Sequence, residues 1–86
     1  MKYNLDDEAE VRGFIARFGT LKGRALANRL GLRGTGAVEK ANHLSGYAWN
    51  KLTAMNLRIN GNIATALRYE NICQDIYEKM SPDIRW

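Results

Sequence analysis

Between Glu10 and Glu39 the sequence contains no acidic residue, although six bases fall there: Arg12, Arg17, Lys22, Arg24, Arg29 and Arg33. Other residue types are scarce along the whole of its 86 residues. There is one proline, Pro82, and no run of β-branched residues, which argues against a sheet and for an all-α chain. A single cysteine, Cys73, excludes an internal disulfide, and with a single histidine, His43, no Cys/His cluster has zinc spacing. No apolar run exceeds three residues, so no membrane-spanning helix is expected. The first residues, Met1 to Glu8, are acidic and lack an apolar stretch of the secretory kind. A cytoplasmic protein with no membrane association is the expectation.

The missing acids shape the charge distribution. Residues 11–69 hold ten Lys or Arg against one acid, Glu39, a local charge of +9. Residues 1–10 carry −3 and residues 70–86 carry −2, so the net charge is only +4. An ordinary helical surface interleaves both signs in i, i+4 pairs. A middle this basic suggests a polyanionic partner.

Apolar periodicity supplies the architecture: one all-α domain over 1–86, with four helices at about 6–18, 20–30, 37–59 and 62–80. Val11, Phe14, Ile15 and Phe18 fall at i, i+3, i+4 and i+7, behind an acidic first turn suited to the helix dipole. A metal site is the other use for those acids, and helix-start electrostatics is preferred. Gly19 is expected to close the first helix and Thr20 to cap the second, whose inner face reads as Leu21, Ala25, Leu26 and Leu30. Val38, Ala41, Leu44, Ala48, Leu52, Met55 and Ile59 form one stripe, favouring a single third helix over a break at Ser45-Gly46. Asn60-Gly61-Asn62 makes a tight turn, with Asn62 capping helix four. The seam of that helix is Ile63, Ala66, Tyr69, Cys73, Ile76 and Met80, widened by Leu67, Ile72 and Tyr77, and Ser81-Pro82 stops it. Helices three and four are therefore an antiparallel hairpin with a C-terminal Trp86 beyond it.

Gly31-Leu32-Arg33-Gly34-Thr35-Gly36 offers backbone N–H groups that could wrap a phosphate, but it matches neither GxGxxG nor GxxxxGK[ST]. A helix connection in which Thr35 caps helix three is preferred. Catalysis has little support. His43 reads as a surface or half-buried helix residue, Cys73 reads as a small core hydrophobe, and no third group is marked out to orient them. No catalytic residue, metal ligand or cofactor is assigned, and the chain is expected not to be an enzyme.

Residues 24–32, Arg-Ala-Leu-Ala-Asn-Arg-Leu-Gly-Leu, resemble the first helix and turn of a helix-turn-helix motif, Ala27 and Gly31 standing where the helices cross closely. The resemblance implies that the following helix reads bases through Arg33, Thr35 and Lys40, with Lys22, Arg24 and Arg29 on phosphates. Gly34 and Gly36 fall where that helix should already run, so it would start late, near Ala37. Trp49, Leu52, Gly61, Ala66, Tyr69 and Pro82 resemble the landmarks of a tetratricopeptide hairpin. The sequence holds no second copy, so this implies a helix pair and not a repeat protein.

The expectation is thus a small basic nucleic-acid-binding protein of regulatory or accessory type, helix-turn-helix-like at 21–41, with DNA before RNA. The contacts would be Arg17, Lys22, Arg24, Arg29, Arg33, Thr35 and Lys40, and so small a core makes a homodimer a natural assembly. The alternative is a helical protein-interaction module, such as a phage- or plasmid-type adaptor or inhibitor on an acidic or nucleic-acid-handling protein. It would dock through Tyr47, Trp49 and Trp86. Tyr47 and Trp49 could instead stack bases, since Lys40, Lys51, Arg58 and Arg68 are near in sequence. For Trp49 a place in the core of the helix three–four hairpin is preferred.

Overall fold

Asp7 starts the first helix: its carboxylate accepts from the backbone N–H groups of Ala9, at 2.9 Å, and Glu10, at 3.4 Å. Such a cap stabilises a helix by about 1 kcal/mol. The structure, a computed structural model, describes residues 3–85. It contains α1 (Glu8–Phe18), α2 (Gly23–Arg29), α3 (Ala37–Ile59) and α4 (Ile63–Lys79), followed by a 3-10 turn, Pro82–Ile84. The protein is a small all-α domain in which α3 is the element that α1, α2 and α4 all pack against.

The core follows the expected stripes. Val11, Phe14 and Phe18 of α1 and Leu26, Ala27 and Leu30 in and after α2 meet Ala37, Ala41, Leu44 and Ala48 of α3. Tyr3 folds onto α1, its ring edge-on to Phe14 and Phe18 at 5.5 and 6.0 Å. α3 is continuous through Ser45-Gly46, as its unbroken periodicity implies. Gly46 is packed there: a Cβ would lie 3.5 Å from Ile76 Cδ1 of α4.

Several local expectations are corrected. α1 begins at Glu8 and not near residue 6, because Asp7 is its cap. Asp6, left outside the helix, reaches α3 instead. Gly19 does close α1 as expected, in right-handed geometry (φ −62°). Its lack of a side chain serves a close approach: a Cβ would stand 3.1 Å from Trp49 Cζ2 and closer still to the Ile15 carbonyl. Thr20 does not cap α2, which starts at Gly23 behind Lys22, since Gly23 has a left-handed φ of 54° that breaks any earlier helix. Ala27, not Ala25, faces inward on α2. Gly36 takes the N-cap position of α3, and Thr35 makes no cap bond.

α2 ends in a Schellman turn, with Leu32 N–H on the Ala27 carbonyl (2.9 Å) and Gly31 N–H on that of Asn28 (3.2 Å). The same bonds, Asn62 to Leu57 and Gly61 to Arg58, close α3 before Asn62 caps α4. Helices α3 and α4 form the expected hairpin.

α4 is less buried than its sequence suggests. Ala66, Cys73 and the following Met80 are buried, but Ile63, Leu67, Ile72 and Tyr77 are exposed. The reason is architectural: α1 and α2 lie on α3, so α4 has only one helix to pack against and buries a narrow stripe. Arg85 closes its C-terminus, donating to the carbonyls of Tyr77 (3.1 Å) and Glu78 (3.0 Å) with its guanidinium over the Tyr77 ring. Ile84 is buried beneath this turn.

Candidate nucleic-acid interface

Four ion pairs lie among the described residues, and each joins a base of the 11–69 segment to an acid from outside it. Arg12 pairs with Glu8 at 3.0 Å, Lys51 with Asp6 at 3.6 Å, Lys40 with Asp83 at 2.8 Å, and Arg58 with Glu70. Asp6 and Asp83 fold back from the two ends onto α3, whereas the Arg12 pair is within α1 and the Arg58 pair spans the hairpin turn. The Lys40 ammonium, first among several contacts, holds the Asp83 carboxyl below the usual carboxylate range, and the Arg58 guanidinium does the same for Glu70. Asp6 also accepts from the Tyr47 phenol at 3.0 Å.

The largest group of cations that these pairs leave uncovered lies in one contiguous stretch of chain, residues 17–33. Arg17 at the end of α1, Lys22 and Arg24 at the start of α2, Arg29 at its end and Arg33 in the glycine loop are all exposed. None of the five side chains takes part in the ion pairs or side-chain hydrogen bonds seen among the described residues. Arg68 and Lys79 on α4 are likewise unpaired among the described residues; Asp75 stands one turn from Lys79, and Arg68 has no acid one turn away in its helix. On α2 the solvent side is Arg24, Ala25, Asn28 and Arg29, because Leu26, Ala27 and Leu30 turn inward. Thr35 is exposed, and a Cβ at Gly31, Gly34 or Gly36 would meet no atom within 4 Å, so the loop backbone is open. The Gly31 and Leu32 N–H groups are used in the turn that ends α2, so the stretch offers cations on a helix beside the exposed backbone of residues 33–36, parts that phosphate contacts use.

The structure separates the other expected site residues from this group. Lys40 is half-buried against Asp83 and is not a free cation. The helix after α2 starts late, at Ala37, as expected for the helix-turn-helix-like segment, and two features depart from that motif. The connection between α2 and α3 spans residues 30–36, longer than the three- to four-residue turn of that motif. The first turn of α3 carries exposed Glu39 and is joined by Lys40 to the C-terminal 3-10 turn. A groove of about 250 Å³ beside it, lined by Gly36, Glu39, Lys40, His43, Lys79 and Ser81, mixes both charge signs.

Tyr47 is not an exposed anchor. It is buried in the core, its hydroxyl on Asp6 and its ring tilted against that of Tyr77 at 6.3 Å. Burial, then the Asp6 contact, pushes its phenol above the ordinary range. Trp49 is not in the hairpin core: it is 43% exposed and lies against Gly19 at the end of α1. Of the bases grouped with these aromatics, Lys40, Lys51 and Arg58 are spent in ion pairs. Trp86 lies outside the described residues.

Cys73 is buried, with its Sγ 3.6 Å from the Tyr47 carbonyl, and burial raises the thiol to about 11. A thiol held protonated in this way is a poor nucleophile. Among the described residues no group of three or more His, Cys, Asp or Glu side chains is placed to hold a metal ion. No helix among them is long and apolar enough to cross a membrane.

At the far end of the hairpin, Ile59 is 68% exposed, and Ile63 and Leu67 are exposed one turn apart on α4. No periodicity argument marks this patch, because these residues continue the stripes that the core uses. No protein-family model matches the chain, and no curated protein or solved structure matches it at a significant level.

Proposed function

We propose that the protein binds nucleic acid through the surface formed by the end of α1, by α2 and by the glycine loop. Arg17, Lys22, Arg24, Arg29 and Arg33 meet phosphates, and Thr35 with the loop N–H groups completes the contact. One observation carries this reading: these five cations have no partner among the described residues, whereas Arg12, Lys40, Lys51 and Arg58 are each paired with an acid from the chain's ends. A surface that existed only for solubility would have no reason to keep acids away from one continuous stretch. The role is regulatory or accessory, DNA is put before RNA, and the chain acts by binding and not by catalysis. Affinity comes from phosphates and not from a recognition helix, since Lys40 and Glu39 begin α3 under the C-terminal turn.

The test is fluorescence anisotropy with labelled duplex DNA at roughly 50 and 200 mM salt. Five phosphate contacts imply a slope of log K against log salt near −4.5, hence roughly a 500-fold loss over that fourfold change. Absence of binding at the lower salt would overturn the reading.

A second reading is favoured by a different observation. The apolar tip at Ile59, Ile63 and Leu67 supports a protein-interaction module, because clustered exposed aliphatics mark contact sites. The two readings use opposite kinds of surface, and variants at either one discriminate them.

A further inference from the structure

We infer that Trp49 is a base-stacking platform, and that the nucleic acid taken by this surface is single-stranded. The inference rests on the nucleic-acid reading above and narrows it to a class of ligand.

Trp49 is 43% exposed, while Phe14, Phe18 and Tyr47 are buried. It does not belong to the hydrophobic core, so its exposed area is not needed to hold the helices together. Nor does it swing freely. Its backbone is within α3, and its Cζ2 stands 3.1 Å from the position a Cβ would take at Gly19. A Cβ at Gly19 would press on the indole and force it to give by a few tenths of an ångström. The result is a large aromatic side chain braced on one side and open to solvent on another. A ring fixed in advance loses little freedom when a flat ligand covers it.

Its neighbours set the ligand's charge. Gly19 is flanked in the chain by Arg17 and Lys22, both exposed and unpaired, and no acid occurs in residues 11–38. The ring therefore rests against Gly19, two residues after Arg17 and three before Lys22 in the chain, and neither cation has a partner among the described residues. An aromatic face beside cations that can follow a phosphate backbone is the arrangement that holds unpaired bases. A duplex keeps its base faces inside the stack and presents only edges and phosphates, so the indole adds nothing to duplex binding. Trp49 thus sets a preference between two ligands that the cations alone would treat alike.

The experiment uses the full chain carrying Trp86→Phe, which leaves Trp49 as its single tryptophan. It is titrated with an oligothymidylate of about 20 nucleotides and, in parallel, with a duplex of similar length, at roughly 50 mM salt. Tryptophan emission and the anisotropy of the labelled DNA are both followed. The oligothymidylate should quench Trp49 strongly and the duplex only slightly. Adding Trp49→Ala should weaken single-strand binding roughly tenfold to hundredfold, with duplex affinity changed less than about twofold. Trp49→Phe, which keeps an aromatic face, should fall between. Circular dichroism checks that each variant is folded.

Single-strand affinity unchanged by Trp49→Ala, or Trp49 emission unchanged at saturation, would overturn the proposal and leave the indole to a protein partner. In that case persistent salt-sensitive binding of both DNAs would keep the phosphate-contacting surface. Failure of both DNAs to bind would overturn the surface and the platform together.

Discussion

The Lys40 ammonium lies 2.8 Å from the Asp83 carboxylate, joining the first turn of α3 to the 3-10 turn that follows α4. This contact removes one cation from the basic middle of the chain. Replacing Asp83 by Asn should release it. Asp83→Asn should tighten nucleic-acid binding by a few-fold and steepen the salt slope by up to about one unit. Anisotropy at several salt concentrations measures both.

The same pair gives a pH dependence of known sign. Asp83 and Glu70 have folded-state carboxyls held below their ordinary range by Lys40 and Arg58. Their contribution to stability is present above the unfolded carboxylate range and is lost as pH falls through the lowered folded values. Both are surface groups, so the effect is small. Thermal melts between neutral and acid pH should show a decline that is shallower in an Asp83→Asn, Glu70→Gln variant.

Cys73 should behave in the opposite direction. Its thiol is raised to about 11 by burial, so stability is fully present below the unfolded thiol range and falls as pH rises towards 11. Cys73→Ala should flatten that alkaline decline. A thiol reagent should label native Cys73 far more slowly than the unfolded chain, and rapid labelling of the native protein would contradict its placement.

The two ends of the hairpin should respond differently to substitution. Leu44 is fully buried, and Leu44→Ala should cost about 2–5 kcal/mol in urea unfolding. Ile59→Lys and Leu67→Lys sit at exposed positions and should change stability by no more than about 0.5 kcal/mol. Under the protein-interaction reading those two changes abolish partner capture and leave DNA binding intact.

Much of this architecture is legible in the sequence because it is local. The continuity of α3 and the glycine-closed turns carry periodic or positional signals and fold as those signals say, although Ile59 at the end of the stripe is exposed. The boundaries of α1 and α2 are less legible. Asp6 and Asp7 are adjacent acids of one type, and only the fold assigns one to a helix cap and the other to Tyr47. Partners that lie far apart in sequence leave no local trace: Asp83 on Lys40 and Asp6 on Lys51 decide which bases remain free. Trp49 is misjudged for a similar reason. Its position on α3 suits a hairpin core, and its contact with Gly19 depends on how α1 crosses α3. The exposed face of α4 follows from which side of α3 the first two helices choose, a choice that amphipathic pattern alone does not encode.

If the proposed surface binds nucleic acid, the free cations make the contacts and the paired ones do not. Two double variants with equal loss of charge test it: Arg29→Ala with Arg33→Ala, and Lys51→Ala with Arg58→Ala. The slope of log K against log salt should fall in magnitude by about two units for the first pair and stay nearly constant for the second. Equal slopes for the two variants, or the larger change in the second, would contradict it.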